Sequence, residues 1–350
     1  MTAAWPEIVT QPADEEYHEM PTSPPYIERG GQQVFRQPLL LRDVFMRAFV
    51  LDADHEALQA LCDRYLNAVT PPKDVRFIPL VDKAMLVFAE IARATSLDRR
   101  DGHFGWLPEI DVAFWVPVAM LERRDGDYEV ADIAWFLPYV FVDNAWAMAT
   151  GREIYGFQKE LARFQIPDGT SPSETFAVKS LVLDPYHPDT QAREETLFEV
   201  RREGGSEPGE ERIFDDLADA AGEWLGAVFG ASDVVSLLWR EGVATRTLSV
   251  NLLSHLRHGE VPMVFLKQFR DCSDPQRACY RRLIRANADL DEASFAGAGP
   301  MWGDYTLSLN DYASHPIARE LGLKIGPNHI DTAFWARYGF TMHAGRELGG

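Results

Sequence analysis

The stretch that decides the fold runs from Ile110 to Val142 and reads IDVAFWVPVAMLERRDGDYEVADIAWFLPYVFV. Its two halves, 110–121 and 131–142, are apolar at nearly every position, and a charged turn cluster containing a glycine separates them. Strands that are apolar on both faces are covered on both sides, as in a filled barrel or a sandwiched sheet. Each run is about half of the roughly 20 residues that a membrane-spanning helix needs, so we predict buried strands and no membrane segment.

Shorter runs of β-branched, aromatic and alternating apolar residues extend this pattern in both directions. The segment 54–66 instead repeats leucine at helical spacing behind an aspartate, which predicts an amphipathic helix, and a second helix is predicted at 315–321. Together these elements predict an α+β fold with many antiparallel strands. Further strands are predicted at residues 39–50, 74–80, 84–92, 174–183, 196–201, 261–269, 279–290, 304–312 and 330–340.

Two segments differ in composition from the strand-rich part of the chain. Residues 1–36 contain five prolines, which favours an extended N-terminal arm. A polar stretch begins near residue 202, and the residues after it have helical periodicity, so we predict a helical insertion at 205–258. The remainder of 37–350 is predicted to form one domain around this insertion.

Composition excludes several classes of function. Of the 350 residues, 46% are hydrophobic, which is enough for a sizeable core, and the net charge of −20 disfavours binding to nucleic acids and anionic membranes. The N-terminus does not resemble a secretion signal, and the three cysteines include no CxxC pair, so we expect a cytoplasmic location. The sequence has no P-loop, no GxSxG and no GxGxxG after a strand, which gives no support for a nucleotide cofactor or a serine hydrolase.

The segment with the most chemical content is Thr150–Phe164, TGREIYGFQKELARF. Lysines are almost never fully buried, so one interpretation of Lys159 is a solvated side chain paired with a neighbouring glutamate. The other interpretation is an amine nucleophile, which must be neutral, whereas a lysine with the ordinary pKa of about 10.4 is almost wholly charged at neutral pH. Burial against Tyr155 and Phe157 is expected to lower the pKa of Lys159 to roughly 7.

The motif G-R-E-x-x-G-F-x-K at 151–159, preceded by FVDN, resembles the lysine motif of the acetoacetate decarboxylase superfamily. In that family the lysine at the position of Lys159 forms a Schiff base with a ketone, and the iminium accepts the electrons released when carbon dioxide leaves. The resemblance implies a mainly antiparallel β barrel or cone-like sheet with the pocket inside, and a homo-oligomer. It also implies a cofactor-independent Schiff-base lyase that decarboxylates a 3-oxo or related keto acid, with no metal and no organic cofactor.

The resemblance further implies three site residues besides Lys159. Arg42 falls where the family has an active-site arginine, Glu90 where a glutamate lies on a following strand, and Glu109 at the spacing of a second pocket glutamate. Glu109 is expected to act as general acid and base, provided that its environment raises its pKa toward neutrality. Arg42 and Glu90 are expected to form a buried ion pair that shapes the pocket, or Arg42 to bind a substrate carboxylate. Without the resemblance, each of the two residues instead indicates a salt bridge on a sheet face. Arg152 and Glu153, which belong to the motif, are expected to hold the loop that presents Lys159.

The motif departs from the family pattern G-[FY]-P-K-K at two positions, where Gln158 replaces the proline and Glu160 replaces the second lysine. A carboxylate within about 4–6 Å would raise the pKa of Lys159. Neighbouring side chains of an extended chain leave on opposite faces, so we expect Glu160 to point away from the pocket. Two alternative functions follow from the altered motif: an aldolase, dehydratase or cyclase of secondary metabolism that uses Lys159, and a non-catalytic barrel that binds a small apolar carbonyl compound.

Overall fold

The two doubly apolar runs form neighbouring antiparallel strands. Their pairing extends from Asp111 opposite Val142 to Arg124 opposite Asp127, with two register shifts between these ends. The computed structural model describes residues 25–28, 33–69, 75–124, 126–167, 174–203 and 259–348, together with a few positions between 214 and 228. The strands within these ranges are β1 (Leu39–Asp52), β2 (Val75–Pro79), β3 (Lys83–Ser96), β4 (Leu107–Arg124), β5 (Asp127–Val142), β6 (Lys159–Leu161), β7 (Arg163–Gln165), β8 (Thr175–Val182), β9 (Arg193–Glu203), β10 (Glu260–Arg270), β11 (Ala278–Asp291), β12 (Gly297–Pro300), β13 (Asp304–Leu309), β14 (Gly326–Ile330), β15 (Thr332–Met342) and β16 (Arg346–Leu348).

The described helices are few and short. Helix α1 (His55–Cys62) continues as a π-helical turn (Asp63–Asn67), helix α2 (Ala145–Thr150) continues as a second π-helical turn (Gly151–Tyr155), and helix α3 is Ile317–Leu321. The predicted helix at 54–66 is confirmed, and its N-cap is Asp54, whose side chain accepts a hydrogen bond from the Ala57 backbone N–H at 2.9 Å. The predicted helix at 315–321 is confirmed as α3, whereas α2 was not predicted.

Seven strands close into a barrel in the order β1, β3, β4, β5, β10, β11 and β15, and β15 pairs back to β1. All of these pairings are antiparallel except that of β5 with β10. The short strand β6 also runs parallel to β5. The prediction of an α+β fold built on a mainly antiparallel barrel is therefore confirmed.

A second sheet, in the order β14, β13, β9, β8 and β7, packs on the outside of the barrel wall. Phe198 of β9 lies at the centre of this contact. Its ring centroid is 5.1 Å from that of Phe114, 5.9 Å from that of Phe141 and 6.5 Å from that of Phe88, all from barrel strands. The main hydrophobic core thus lies between the barrel and the second sheet. A different set of side chains lines the barrel interior.

Alternation along the strands divides the wall residues between these two environments. On β3, Leu86 and Phe88 face the second sheet, whereas Val87, Ala89 and Ile91 face the interior. Barrel strands of this kind are buried on both faces, which explains their nearly continuous apolar sequence.

The predicted arm (1–36) and the predicted helical insertion (205–258) lie mostly outside the described residues. Within the insertion, Phe214 forms an isolated antiparallel bridge with Ala298, and Ala220 and Val228 are buried. Residues 33–350 form one compact unit. Over the part of the chain that the structure covers, no helix has the length and hydropathy needed to cross a bilayer.

Replacing Phe198 by alanine tests whether the contact between barrel and second sheet holds the fold together. We expect Phe198→Ala to lower the free energy of unfolding by about 3–5 kcal/mol, because the cavity forms where three aromatic rings converge. Phe104→Ala is the matched control, since Phe104 is largely exposed. Urea unfolding followed by circular dichroism gives both values, and an equal effect of the two substitutions would contradict this description of the core.

Candidate active site

The segment between β5 and β6 places Lys159 against the barrel wall. Asn144 caps α2 by accepting a hydrogen bond from the Ala147 backbone N–H at 2.9 Å, and the helix then widens into the π-helical turn that ends at Tyr155. The chain reverses at Gly156 and enters β6, where Lys159 is in register with Val140 of β5. Arg152 donates from Nη1 to the backbone carbonyl of Lys159 at 3.1 Å, so its predicted role in holding this loop is confirmed.

At both glycine positions of the lysine motif, a larger residue would clash with its surroundings. Gly156 has φ 93°, and a Cβ at this position would lie 2.6 Å from the Cα of Lys267. Gly151 has ordinary helical φ, but a Cβ there would lie 2.6 Å from Cδ and 2.9 Å from Cε of Lys159. The motif therefore specifies a left-handed turn next to β10 and a space that the lysine side chain fills.

Lys159 is buried, with 7% of its surface exposed, and its ammonium contacts two carboxylates. Nζ lies 2.7 Å from Oε1 of Glu109 and 3.1 Å from Oδ2 of Asp111. Glu109 is buried as well, and Asp111 is partly exposed. These two acids are two residues apart on β4, so their side chains leave the strand on the same face. The spacing E-x-D at 109–111 is the signal that could have revealed Asp111, which the sequence reasoning missed.

The prediction that Lys159 has a lowered pKa is wrong. Burial acts to lower the pKa of Lys159, but the attraction of the Glu109 and Asp111 carboxylates outweighs burial, and the pKa is raised. The pKa of Glu109 is raised by burial and by repulsion from Asp111, against the lowering effect of Lys159. The expectation of a raised pKa for Glu109 is thus confirmed in direction. Among the lysines that the structure describes, Lys267 has a pKa lowered by burial, and it donates a hydrogen bond to the Ile154 carbonyl at 3.1 Å.

Glu160 points away from Lys159, as the extended conformation of this segment predicts. Its Oε2 lies 2.8 Å from Nε2 of the buried His315, whose Nδ1 lies 2.9 Å from Oγ of Ser314. The carboxylates that raise the pKa of Lys159 therefore come from β4 and not from the neighbouring residue in the chain.

The amine lies in the wall of an apolar cavity of about 140 Å³ inside the barrel. Tyr155 and Phe157 line this cavity, as predicted, and Nζ of Lys159 lies 5.5 Å from the centroid of the Phe157 ring. Among the lining residues that the structure describes, the charged ones are Lys159, Glu109 and Asp111. Most of the other lining residues are aliphatic or aromatic, among them Leu41, Val44, Ile91, Trp115, Leu137, Met263, Tyr338 and Met342.

Solved structures with the same architecture are found despite low sequence identity. An acetoacetate decarboxylase from Legionella pneumophila subsp. pneumophila str. Philadelphia 1 aligns over 95% of this chain and 93% of its own, with a TM-score of 0.54 and 17% identity. The chain has the acetoacetate decarboxylase fold. MppR, an enduracididine biosynthesis enzyme solved with the condensation product of pyruvate and imidazole 4-carboxaldehyde, aligns over 91% of this chain and 92% of its own, with a TM-score of 0.51 and 13% identity. No family model and no curated protein sequence matches the chain.

Within this acetoacetate decarboxylase fold, two of the predicted site residues do not reach the cavity. Glu90 lies on the face of β3 opposite to the cavity-lining Ala89 and Ile91, and it forms an ion pair with Arg47. The predicted pairing of Glu90 with Arg42 is therefore wrong, because alternation along β3 directs Glu90 to the outside of the barrel.

Arg42 lies in a β-bulge of β1, between two residues that line the cavity, Leu41 and Val44. Its Nε is buried without a hydrogen-bond partner, and the residue is not part of the cavity lining. Because Arg42 directly follows the cavity-lining Leu41 in the strand, its side chain leaves β1 on the opposite face, so the expected carboxylate-binding arginine is not placed at the site. Of the four predicted site residues, the structure brings together Lys159 and Glu109.

Among the residues that the structure describes, no group of three or more His, Cys, Asp or Glu side chains is arranged to hold a metal ion.

Removal of the Glu109 charge tests the origin of the raised lysine pKa. In Glu109→Gln we expect the pKa of Lys159 to fall, since one attracting carboxylate is lost while burial remains. At a pH below the titration midpoint, each unit by which the pKa of Lys159 falls increases the fraction of neutral amine about tenfold. Competitive labelling with trace acetic anhydride across a pH series, followed by mass spectrometry of the Lys159 peptide, measures this. Glu90→Gln is the matched control, and identical pH profiles for the two variants would contradict the assignment.

Proposed function

We propose that this protein is a cofactor-independent Schiff-base enzyme that makes or breaks a carbon–carbon bond in a small carbonyl compound, with Lys159 as the nucleophile. The observation that supports the proposal is the 2.7 Å hydrogen bond between a buried lysine and a buried glutamate at the wall of an apolar cavity. Condensation of an amine with a ketone needs a nucleophile and a proton donor and acceptor within hydrogen-bond reach of each other.

The raised pKa of Lys159 describes the resting ion pair, and the hydrogen bond to Glu109 offers a route to the neutral amine. Transfer of one proton from Nζ to Oε1 gives a free amine beside a carboxylic acid. Burial disfavours separated charges and raises the pKa of Glu109, so it stabilises this neutral pair relative to its stability in water. An apolar substrate that displaces water from the cavity strengthens the same effect.

Lys159 and Glu109 together account for every proton transfer in Schiff-base formation. The amine attacks the carbonyl carbon, Glu109 protonates the carbonyl oxygen, and the resulting carboxylate removes the extra proton from nitrogen to give the carbinolamine. Glu109 next protonates the hydroxyl group, which leaves as water while the nitrogen lone pair forms the iminium. In sum, an ammonium and a ketone become an iminium and water, and Glu109 ends ionised next to the positive charge. Asp111 is positioned to stabilise that charge as well.

Two reactions can follow from this iminium. In decarboxylation of a 3-oxo acid, the reaction expected from the sequence, carbon dioxide leaves and its bond electrons enter the iminium without a base. In aldol-type cleavage a base must remove the proton of a β-hydroxyl group, and the ionised Glu109 is such a base. Both receive support from the comparison structures, one named an acetoacetate decarboxylase and one, MppR, holding a condensation product.

Reductive trapping tests the proposed nucleophile. When the protein is incubated with a panel of small ketones, aldehydes and keto acids and treated with borohydride, we expect a stable adduct on Lys159 and none on that position in Lys159→Met. Lys267→Met is the matched control, because Lys267 has a lowered pKa but lies outside the cavity lining. Intact-protein and peptide mass spectrometry locate the adduct. Absence of any Lys159 adduct across the panel would favour the non-catalytic barrel that binds a carbonyl compound.

The close approach of Gly151 to the lysine gives a test of positioning. In Gly151→Ala the new Cβ would occupy the space of Lys159 Cδ, so the amine must move away from Glu109. We expect the rate of trapping to fall about 100-fold, since displacements of an ångström at a reacting group have effects of this order. Gly226→Ala is the matched control, because Gly226 is also helical and a Cβ there meets nothing within 4 Å. Unchanged trapping in Gly151→Ala, with thermal unfolding like that of the control, would contradict the proposed fit.

A further inference from the structure

The charges around the cavity do not cancel. Lys159 contributes one positive charge, whereas Glu109 and Asp111 contribute two carboxylates. With all three groups ionised, the described residues of the lining have a net charge of one negative unit. Proton transfer from Lys159 to Glu109 leaves this sum unchanged, and so does replacement of the ammonium by an iminium.

A substrate carboxylate would add a second uncompensated negative charge in an apolar enclosure. The ammonium of Lys159 already contacts two carboxylates, at 2.7 and 3.1 Å, so it does not compensate the charge of a third carboxylate. Burying an unpaired carboxylate in such surroundings is among the costliest changes that a protein site can undergo.

Neither Arg152 of the lysine motif nor Arg42 of β1 supplies the missing positive charge. Arg152 uses Nη1 to hold the backbone carbonyl of Lys159, and Arg42 is outside the lining. Across the described part of the lining, Lys159 is the one cationic residue.

The remaining polar groups of the cavity suit a neutral ligand. The hydroxyl group of Tyr155 donates to the Met342 carbonyl at 3.3 Å, and Oγ1 of Thr150 accepts from the backbone N–H of Phe35 at 3.1 Å. The indole Nε1 of Trp115 is buried without a hydrogen-bond partner. A neutral donor such as this indole N–H matches a carbonyl or hydroxyl oxygen, for which one hydrogen bond is sufficient, better than it matches a carboxylate.

We propose that the cavity takes an uncharged aldehyde or ketone and excludes keto acids, so that the reaction at Lys159 is aldol-type cleavage or condensation and not decarboxylation. This inference rests on the proposed Schiff-base function of Lys159. The cavity volume of about 140 Å³ limits the ligand to small molecules, because an apolar cavity of about 150 Å³ holds one benzene ring.

The bond changes of the cleavage direction balance with the groups at the site. The ionised Glu109 removes the proton of the β-hydroxyl group, the new carbonyl bond forms at that carbon, and an aldehyde leaves as the carbon–carbon bond breaks. The electrons of that bond enter the iminium and give a neutral enamine on Lys159. Glu109 returns its proton to the enamine carbon, and water releases the ketone product and restores the amine.

A pair of probes of equal size tests the inference. 2,4-Pentanedione and acetoacetate have the same number of non-hydrogen atoms. 2,4-Pentanedione has an uncharged acetyl group where acetoacetate has a carboxylate. Each is offered to the wild-type protein at neutral pH, separately and in competition, and adducts at Lys159 are quantified by mass spectrometry. Borohydride fixes the imine adducts of acetoacetate and acetone, whereas the conjugated enaminone formed by 2,4-pentanedione resists borohydride and is measured unreduced. The added mass distinguishes an adduct that retains its carboxylate from one formed by acetone. Lys159→Met serves as the background for reaction at other lysines.

We expect at least about tenfold faster labelling by 2,4-pentanedione, equivalent to about 1.4 kcal/mol. In Asp111→Asn, which removes one negative charge with little change of shape, this ratio should narrow because acetoacetate is then less strongly repelled. Equal or preferential labelling by acetoacetate, or release of carbon dioxide that depends on Lys159, would overturn the inference while leaving the Schiff-base function intact. Labelling of Lys159 by neither probe would overturn both.

Discussion

The ammonium of Lys159, held between Glu109 and Asp111 inside the barrel, is the interaction on which the site depends. A charged amine at this depth requires a carboxylate partner, because an unpaired buried charge would be driven to neutrality or would destabilise the fold. The partners come from β4, and the lysine comes from β6 by way of a glycine-lined turn. Two segments about 50 residues apart in the chain must therefore come together before any one of these groups has this environment.

The barrel makes this assembly possible because its strands have two different buried faces. The outer face of β3 and β4 packs on the second sheet through rings such as Phe88 and Phe114. This packing fixes the position of β4, the strand that contains Glu109. The inner face is free to hold polar groups around a cavity. One residue along a strand separates these environments, which is why Glu90 pairs with Arg47 outside while the acids of β4 meet the lysine inside.

The replacement of a basic residue by Glu160 has little direct consequence for the amine. Strand geometry directs Glu160 to His315, on the side of β6 away from the cavity. The proton affinity of Lys159 is instead set by two acids about 50 residues earlier in the chain. In the proposed function, the resting ion pair and the reactive neutral pair differ by one proton moving along one hydrogen bond, and the apolar lining favours the neutral pair.

The amino-acid sequence by itself determined the long strands, the first helix and the position of the lysine, whereas short strands such as β6, β7, β12 and β16 were not predicted. These features depend on local periodicity, on caps and on a short motif whose glycines are needed for steric reasons, and all of these can be read along the chain. The sequence also predicted the opposite orientation of Glu160, because alternation is a local property of extended chain. It did not determine that Asp111 joins the site, that Arg42 falls in a bulge, or that Glu90 pairs with Arg47. The tertiary structure decided those, because the partner of a charge depends on strand register and on which wall of the closed barrel lies opposite, and neither is set by neighbouring residues.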